Sequence, residues 1–326
     1  MKILITRKIP RAGLELLRKH PQIEIDYRQG PPLSEEELMD AVKDCDAIIP
    51  VIPDKINENV LRAGKNLKLV ATYSVGYDHI DLKVANELGI YVSNTPGDLT
   101  EAVAEHSMAL LMSVGRRIVE ADRFTRGGKY EYWDPMIFLG PRFTDKTLGI
   151  IGFGRIGQHF AKLAKNGFNM NILYNDTNKH PDVEEEYGAT FASLEDLLGK
   201  SDFVSIHVPL LPATKHLITD REFRLMKPTA YLINTARGPI IDEDSLILAL
   251  KENWIAGAGI DVYEEEPNIH AGLKELDNVI LTPHIGSATR EARIEMARMA
   301  AENVVEVLIS NKPPVNLVNK DIKDPR

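Results

Sequence analysis

Cysteine is nearly missing from this sequence. Cys45 stands alone among 326 residues, so no intrachain disulfide can form, and a reducing compartment is the expected setting. Its neighbours Asp44 and Asp46 supply no positive charge to activate a thiol, which argues against a nucleophile. Positive charge is also short. Against 48 Asp and Glu there are 39 Lys and Arg, a formal balance of −9, with no basic stripe, so a nucleic-acid partner is not expected. An anionic substrate stays compatible, because a local pocket can be positive on an acidic chain. No stretch approaches the roughly 20 apolar residues that cross a bilayer. The opening MKILIT reads as a strand rather than a leader's apolar core. The expectation is a cytoplasmic chain with no membrane partner. Internal repeats and low-complexity segments are lacking, and so is any His, Asp or Glu cluster at ligand spacing, so no metal is expected.

What is present reads as two domains, given the length, 44% hydrophobic and 27% charged residues. Apolar runs at 2–6, 23–27, 47–52, 67–73 and 90–93 read as strands. Helical spacing fills the gaps at 12–19, 35–43, 58–65 and 82–88, the second opening on Ser34 and Glu37 as a capping box. Such alternation implies a parallel sheet covered on both faces, here five strands in a flavodoxin-like order. From about Asp98 one long helix is expected, running to about Arg126. Alternation then restarts with six strands at 147–151, 171–174, 203–207, 230–234, 256–260 and 279–281. A last helix over 290–310 follows. The fold class is therefore α/β, with two doubly wound parallel-sheet domains. A Rossmann-like domain (98–286) is expected to be inserted in a flavodoxin-like domain (1–97 and 287–326).

The strand at 147–151 runs into Gly152-Phe153-Gly154-Arg155-Ile156-Gly157 and then a helix. In that order the glycines permit a tight turn, backbone approach to a pyrophosphate and close helix–sheet packing. Alone the pattern is weak. Its context strengthens it, because the next strand ends at Asp176, 176 − 157 = 19 residues past the last glycine. A carboxylate there accepts hydrogen bonds from the adenosine ribose and repels a 2′-phosphate, favouring NAD over NADP.

Ligands of open α/β sheets bind beyond the carboxyl ends of the strands, and an arginine, a carboxylate and a histidine fall there. Arg237 follows the strand ending at Asn234, Asp261 and Glu266 follow the next, and His284 follows Thr282-Pro283. Singly, each has a plain reading: a surface arginine, a solvated run Glu264-Glu265-Glu266, a core histidine. Together they match what reduction of a 2-oxo acid requires. A guanidinium clamps the carboxylate and polarises the carbonyl, an imidazole protonates the developing alkoxide, and a carboxylate beside the imidazole stabilises its charged form. Pro267 holds Glu266 out of helical conformation, which separates it from its two neighbours. His106 lies inside the long helix, His207 ends a strand near the cofactor, and nothing marks His79, His216 or His270 as chemical.

These residues resemble the D-isomer-specific 2-hydroxyacid dehydrogenases, and among them the glyoxylate/hydroxypyruvate reductases. The likeness rests on residues 73–81 (YSVGYDHID), 152–157, 233–238 (INTARG), 259–267 (GIDVYEEEP) and 281–288 (LTPHIGSA), in that order. The resemblance implies Arg237, Glu266 and His284 as a catalytic trio, with the backbone of Val75 and Gly76 helping Arg237 and His284 to hold substrate. It implies NAD contacts by Thr100, Gly154, Arg155, Ile156, Gly157, Asp176, Val208, Pro209, Thr235, Ala236, Arg237, Asp261, His284 and Gly286, with Asp261 accepting from the carboxamide. It also implies a homodimer, in which a loop like Tyr132-Trp133-Asp134-Pro135 reaches the neighbouring subunit. NADP-using relatives carry Ser-Arg where this chain has Asp176-Thr177. The implied activity is hydride transfer from NADH to a small 2-oxo acid. The alternatives are 3-phosphoglycerate dehydrogenase, many of which carry a C-terminal regulatory domain not found here, and a corepressor-like NAD-binding protein.

Overall fold

A computed structural model describes residues 1–97 and 99–326, so Asp98, expected to open the long helix, lies outside the described residues. Two compact units divide the chain, Met1–Leu99 with Ala288–Arg326, and Thr100–Ser287.

In the first unit β1 (Lys2–Ile5), α1 (Arg11–Arg18), β2 (Glu24–Tyr27), α2 (Glu35–Ala41), β3 (Ala47–Ile49), α3 (Glu58–Ala63), β4 (Leu69–Ala71), α4 (Leu82–Glu87) and β5 (Tyr91–Ser93) alternate strictly. The strands pair in parallel in the order β2-β1-β3-β4-β5, the flavodoxin-like order. Ile3, Leu4, Ile5, Ile48, Ile49 and Val70 are fully buried, an uninterrupted apolar run of the kind needed by strands covered on both faces. Ser34 and Glu37 form the expected capping box at α2.

The second unit begins with α5 (Leu99–Gly115), whose first residue lies at the boundary, and α6 (Ile118–Arg126). After a loop come β6 (Thr147–Ile151), α7 (Arg155–Phe168), β7 (Asn171–Asn175), α8 (Pro181–Tyr187), β8 (Thr190–Phe191), α9 (Leu194–Lys200) and β9 (Phe203–Ile206). Then follow α10 (Asp220–Leu225), β10 (Tyr231–Asn234), α11 (Glu243–Lys251), β11 (Gly257–Ile260), α12 (Ala271–Lys274) and β12 (Val279–Leu281). Seven parallel strands stand in the order β12-β11-β10-β9-β6-β7-β8. The order reverses at β6 and β9, so the switch point of a doubly wound sheet lies there. One core layer, including Val204, Leu232 and Leu250, covers one side, and another, including Leu111, Phe160 and Phe203, covers the other. The chain then returns to the first unit as α13 (Arg290–Leu308).

Two expectations need correction. The single long helix is two helices, broken at Arg116 and Arg117. A Cβ on Gly115 would stand 2.7 Å from Phe143 Cζ, so the α5 terminus is pressed against the later loop. Arg117 is left-handed (φ 52°), and Glu120 grips its guanidinium at 2.8 and 2.6 Å. The apolar spacing runs on across this break, which is why periodicity alone missed it. The second sheet also has seven strands rather than six. The extra one, β8, pairs with β7 over two residues, too short to leave an alternating pattern.

Candidate active site

Every strand of the second sheet runs the same way, so all its carboxyl ends open on one edge. The glycine turn follows β6, Asp176 follows β7, Val208 and Pro209 follow β9, Thr235, Ala236 and Arg237 follow β10, Asp261 follows β11, and His284 and Gly286 follow β12. The topology therefore places these predicted residues along that edge. Thr100 stands in the first turn of α5, and Val75 and Gly76 follow β4 in the first unit.

The turn after β6 fits a dinucleotide's phosphates. Gly152 is at φ 90°, and a Cβ there would lie 2.7 Å from Val208 N, so only glycine lets this turn and the β9 end pack together. A Cβ on Gly154 would instead meet nothing within 4 Å. No side chain caps α7 at Gly154, so its first N–H groups, at Arg155 and Ile156, lie beyond reach of any intrahelical acceptor. Asp176 Oδ2 accepts from the Phe153 N–H at 2.6 Å, bracing the turn. Burial works against its charge. Hydrogen bonds from the Phe153 and Asn178 N–H groups and the Thr177 hydroxyl outweigh it and hold the carboxyl below its usual range. His207 is held neutral instead, pushed down to about 3 by the protein enclosing its imidazole. It can line a cofactor without bringing charge to it.

His284 Nδ1 lies 2.8 Å from Glu266 Oε2, while Glu266 Oε1 accepts from the Tyr263 N–H at 3.0 Å. Both carboxylate oxygens are engaged, and the side chains keep 26% and 28% of their exposure. Glu266 engages Nδ1, which leaves Nε2 as the imidazole's other polar atom. His284 is left-handed at φ 53°, a conformation histidine tolerates better than most residues. Its N–H donates to Asp261 O at 2.9 Å. The Arg237 turn meets the Glu266 loop through Gly238, where any Cβ would overlap the Tyr263 carbonyl and Glu264 N. Asn234 fixes that turn from both sides, its Oδ1 accepting from Ala236 N–H at 3.0 Å and its Nδ2 donating to Arg237 O at 2.9 Å.

Asp261 is fully buried and anchors the His284 segment. It accepts from Thr282 Oγ1 at 2.6 Å, Ile285 N at 2.9 Å and Gly286 N at 2.8 Å. His106 Nε2 approaches at 3.4 Å. Burial opposes its ionisation, but the bonds from His106, Thr282 and Ile285 prevail and hold it below the usual range.

Sequence reading missed Tyr263, whose N–H holds Glu266 and whose hydroxyl donates to Thr282 O at 2.9 Å, bracing both sides of the His284–Glu266 pair. It also treated His106 as helix filling, yet His106 reaches Thr282 Oγ1 at 3.2 Å. Glu264 is more than a solvated charge, since it pairs with His216 and its N–H donates to Glu243 at 2.8 Å. Among the described residues no group of three or more His, Cys, Asp or Glu could hold a metal ion, and no helix is long and apolar enough to cross a membrane.

Comparison with known proteins identifies the family. Residues 108–286 match the family model described as D-isomer specific 2-hydroxyacid dehydrogenase, NAD binding domain. The chain is 49% identical to a glyoxylate reductase of Thermococcus litoralis over 98% of its own length and 97% of the relative's. A solved structure from Thermus thermophilus superposes with a TM-score of 0.91 at 41% identity, covering 98% of this chain and 100% of that one. A glyoxylate reductase from Paecilomyes thermophila gives a TM-score of 0.86 at 30% identity over 98% and 99%.

Proposed function

The chain belongs to the D-isomer specific 2-hydroxyacid dehydrogenase family and is an oxidoreductase using a nicotinamide cofactor, and from that premise we propose that it reduces glyoxylate or a close 2-oxo acid with NADH. The observation that carries this reading is the His284–Glu266 pair at 2.8 Å beyond β12, on the sheet edge that also bears the glycine turn.

When bound, the cofactor supplies a hydride to the substrate's carbonyl carbon. The chain's own residues do the rest. Glu266 holds the imidazole through Nδ1, so His284 Nε2 carries the proton delivered to the carbonyl oxygen as negative charge develops there. Arg237 clamps the carboxylate and polarises the carbonyl, and the N–H groups of Val75 and Gly76 also hold that carboxylate. Arg155 and Ile156 offer N–H groups to the pyrophosphate. Val208, Pro209, Thr235, Ala236, Gly286 and Thr100 line the cofactor, and Asp261 keeps the His284 segment in place beside it. Asp176, charged at neutral pH, accepts from the ribose hydroxyls and repels a 2′-phosphate, which favours NAD over NADP. A second copy of the chain is the partner that the exposed loop fits, with Tyr132, Trp133 and Met136 at 73%, 75% and 71% exposure.

The test is loss of reduced-nicotinamide absorbance with a panel of glyoxylate, hydroxypyruvate, pyruvate and phosphohydroxypyruvate, each with NADH and with NADPH. Fastest turnover of glyoxylate or hydroxypyruvate with NADH is expected. A preference for phosphohydroxypyruvate would redirect the assignment, and no turnover with any of them would end it.

A further inference from the structure

The segment Ser74-Val75-Gly76-Tyr77 leaves β4 with three successive carbonyls tied. Ser74 O accepts from Thr95 N–H at 2.9 Å, Val75 O from Asn94 Nδ2 at 2.8 Å, and Gly76 O from Ser74 Oγ at 2.6 Å. In a planar trans peptide the C=O and the following N–H point in opposite directions. Fixing these three carbonyls therefore turns the N–H groups of Val75, Gly76 and Tyr77 away from their tethers. Among the described residues none of the three donates to a protein group, while Val75 and Tyr77 stay 36% and 41% exposed. Successive N–H groups without a protein acceptor are donors that an anion can take up.

Ser74 itself is 1% exposed and is not at liberty to turn. Its only proton goes to Gly76 O, so across the 2.8 Å contact with Thr72 Oγ1 it can only accept. The Thr72 proton is thereby used, and Thr72 in turn accepts from His79 Nε2 at 3.0 Å. Proton direction is forced along the whole chain from His79 through Thr72 and Ser74 to Gly76.

We propose that Ser74, steered by Thr72 and His79 and assisted by Asn94, is a positioning residue that aims a three-donor backbone nest, including the Tyr77 N–H, at the substrate carboxylate. This rests on the reading that Val75 and Gly76 hold that carboxylate. Ser74 touches no reacting atom. It acts by fixing the peptide that a carboxylate would meet, so its loss weakens anion binding more than chemistry.

Full-length wild-type, Ser74→Ala and Ser74→Thr chains are compared by glyoxylate kinetics with NADH, by competitive inhibition with oxalate, by NADH binding through fluorescence and by melting temperature. For Ser74→Ala the KM for glyoxylate and the Ki for oxalate should rise together by about tenfold, the size of one misaimed charge-assisted hydrogen bond. The kcat and NADH affinity should hold within about twofold, and Ser74→Thr, which restores a hydroxyl, should recover most of the loss. A folded Ser74→Ala chain with unchanged KM and Ki, or with a fall confined to kcat, overturns the proposal. Should Ser74→Ala not fold, Asn94→Ala removes a half-buried tether instead, and unchanged KM and Ki in that variant have the same force. A wild-type chain that neither turns over glyoxylate nor binds oxalate takes down the functional reading along with it.

Discussion

The two units hold their working groups by opposite means. After β4 in the first unit, the side chains of Asn94 and Ser74 and the Thr95 N–H grip carbonyls, and what remains free is backbone N–H. At the strand ends of the second unit, backbone N–H groups instead grip carboxylate side chains. Phe153 N holds Asp176, Tyr263 N holds Glu266, and Ile285 N and Gly286 N hold Asp261. A peptide N–H is rigid and suits a fixed anion. An imidazole can change its protonation state, and a reacting centre needs that. The difference predicts that damage to the first unit is read mainly in KM, and damage to the second mainly in kcat.

The largest effect should come from His284→Ala, which removes the proposed proton donor and should cost about 100-fold or more in kcat with NADH binding retained. Near-normal kcat would erase the contrast between the units. Gly238→Ala comes next, because a methyl there collides with the Tyr263 carbonyl that no rotamer can move. A loss of about 3 kcal/mol by urea denaturation is expected, with activity falling alongside; a variant of unchanged midpoint and activity would show that the Arg237 turn and the Glu266 loop are not packed as described. Asp176→Ala should narrow the NADH/NADPH ratio of kcat/KM by about tenfold, and an unchanged ratio would move the selectivity elsewhere.

The smallest effect concerns pH. Asp261 titrates below its ordinary value in the folded chain, so its contribution to stability is complete above the unfolded value of about 4 and is lost as pH falls through the lower, folded one. Melting temperatures measured from neutral to acid pH should therefore drop less steeply for Asp261→Asn than for wild type. Parallel curves would mean the loop's N–H groups do not stabilise the carboxylate.

The same contrast explains what the sequence made legible. Arg237, Glu266 and His284 could be proposed from the sequence because the chemistry asked of them lies in their side chains and their spacing follows strand ends. The parallel, doubly wound character of both sheets follows from strand–helix alternation, while the short seventh strand of the second sheet does not. Ser74 and Asn94 stayed silent because they act on carbonyls, which every residue has. Tyr263 escaped for a similar reason, working through an N–H and a carbonyl 19 residues away. His106 and Thr282 are separated by 176 residues, so only tertiary structure brings them together. The break at Arg117 was invisible because the glycine that permits it matters only once Phe143 has arrived.

The insertion of one unit within the other sets a timetable for synthesis. Helix α13 packs along α1 so closely that a Cβ on Gly13 would collide with the Ala297 carbonyl. Yet α1 leaves the ribosome before Thr100–Ser287 and α13 after it. The uninterrupted unit has all its strands available and can close early, while the first five strands must wait with one flank bare. Met1–Leu99 is thus completed only after the unit that follows it in the chain, and its unfinished sheet stays open to aggregation for that interval.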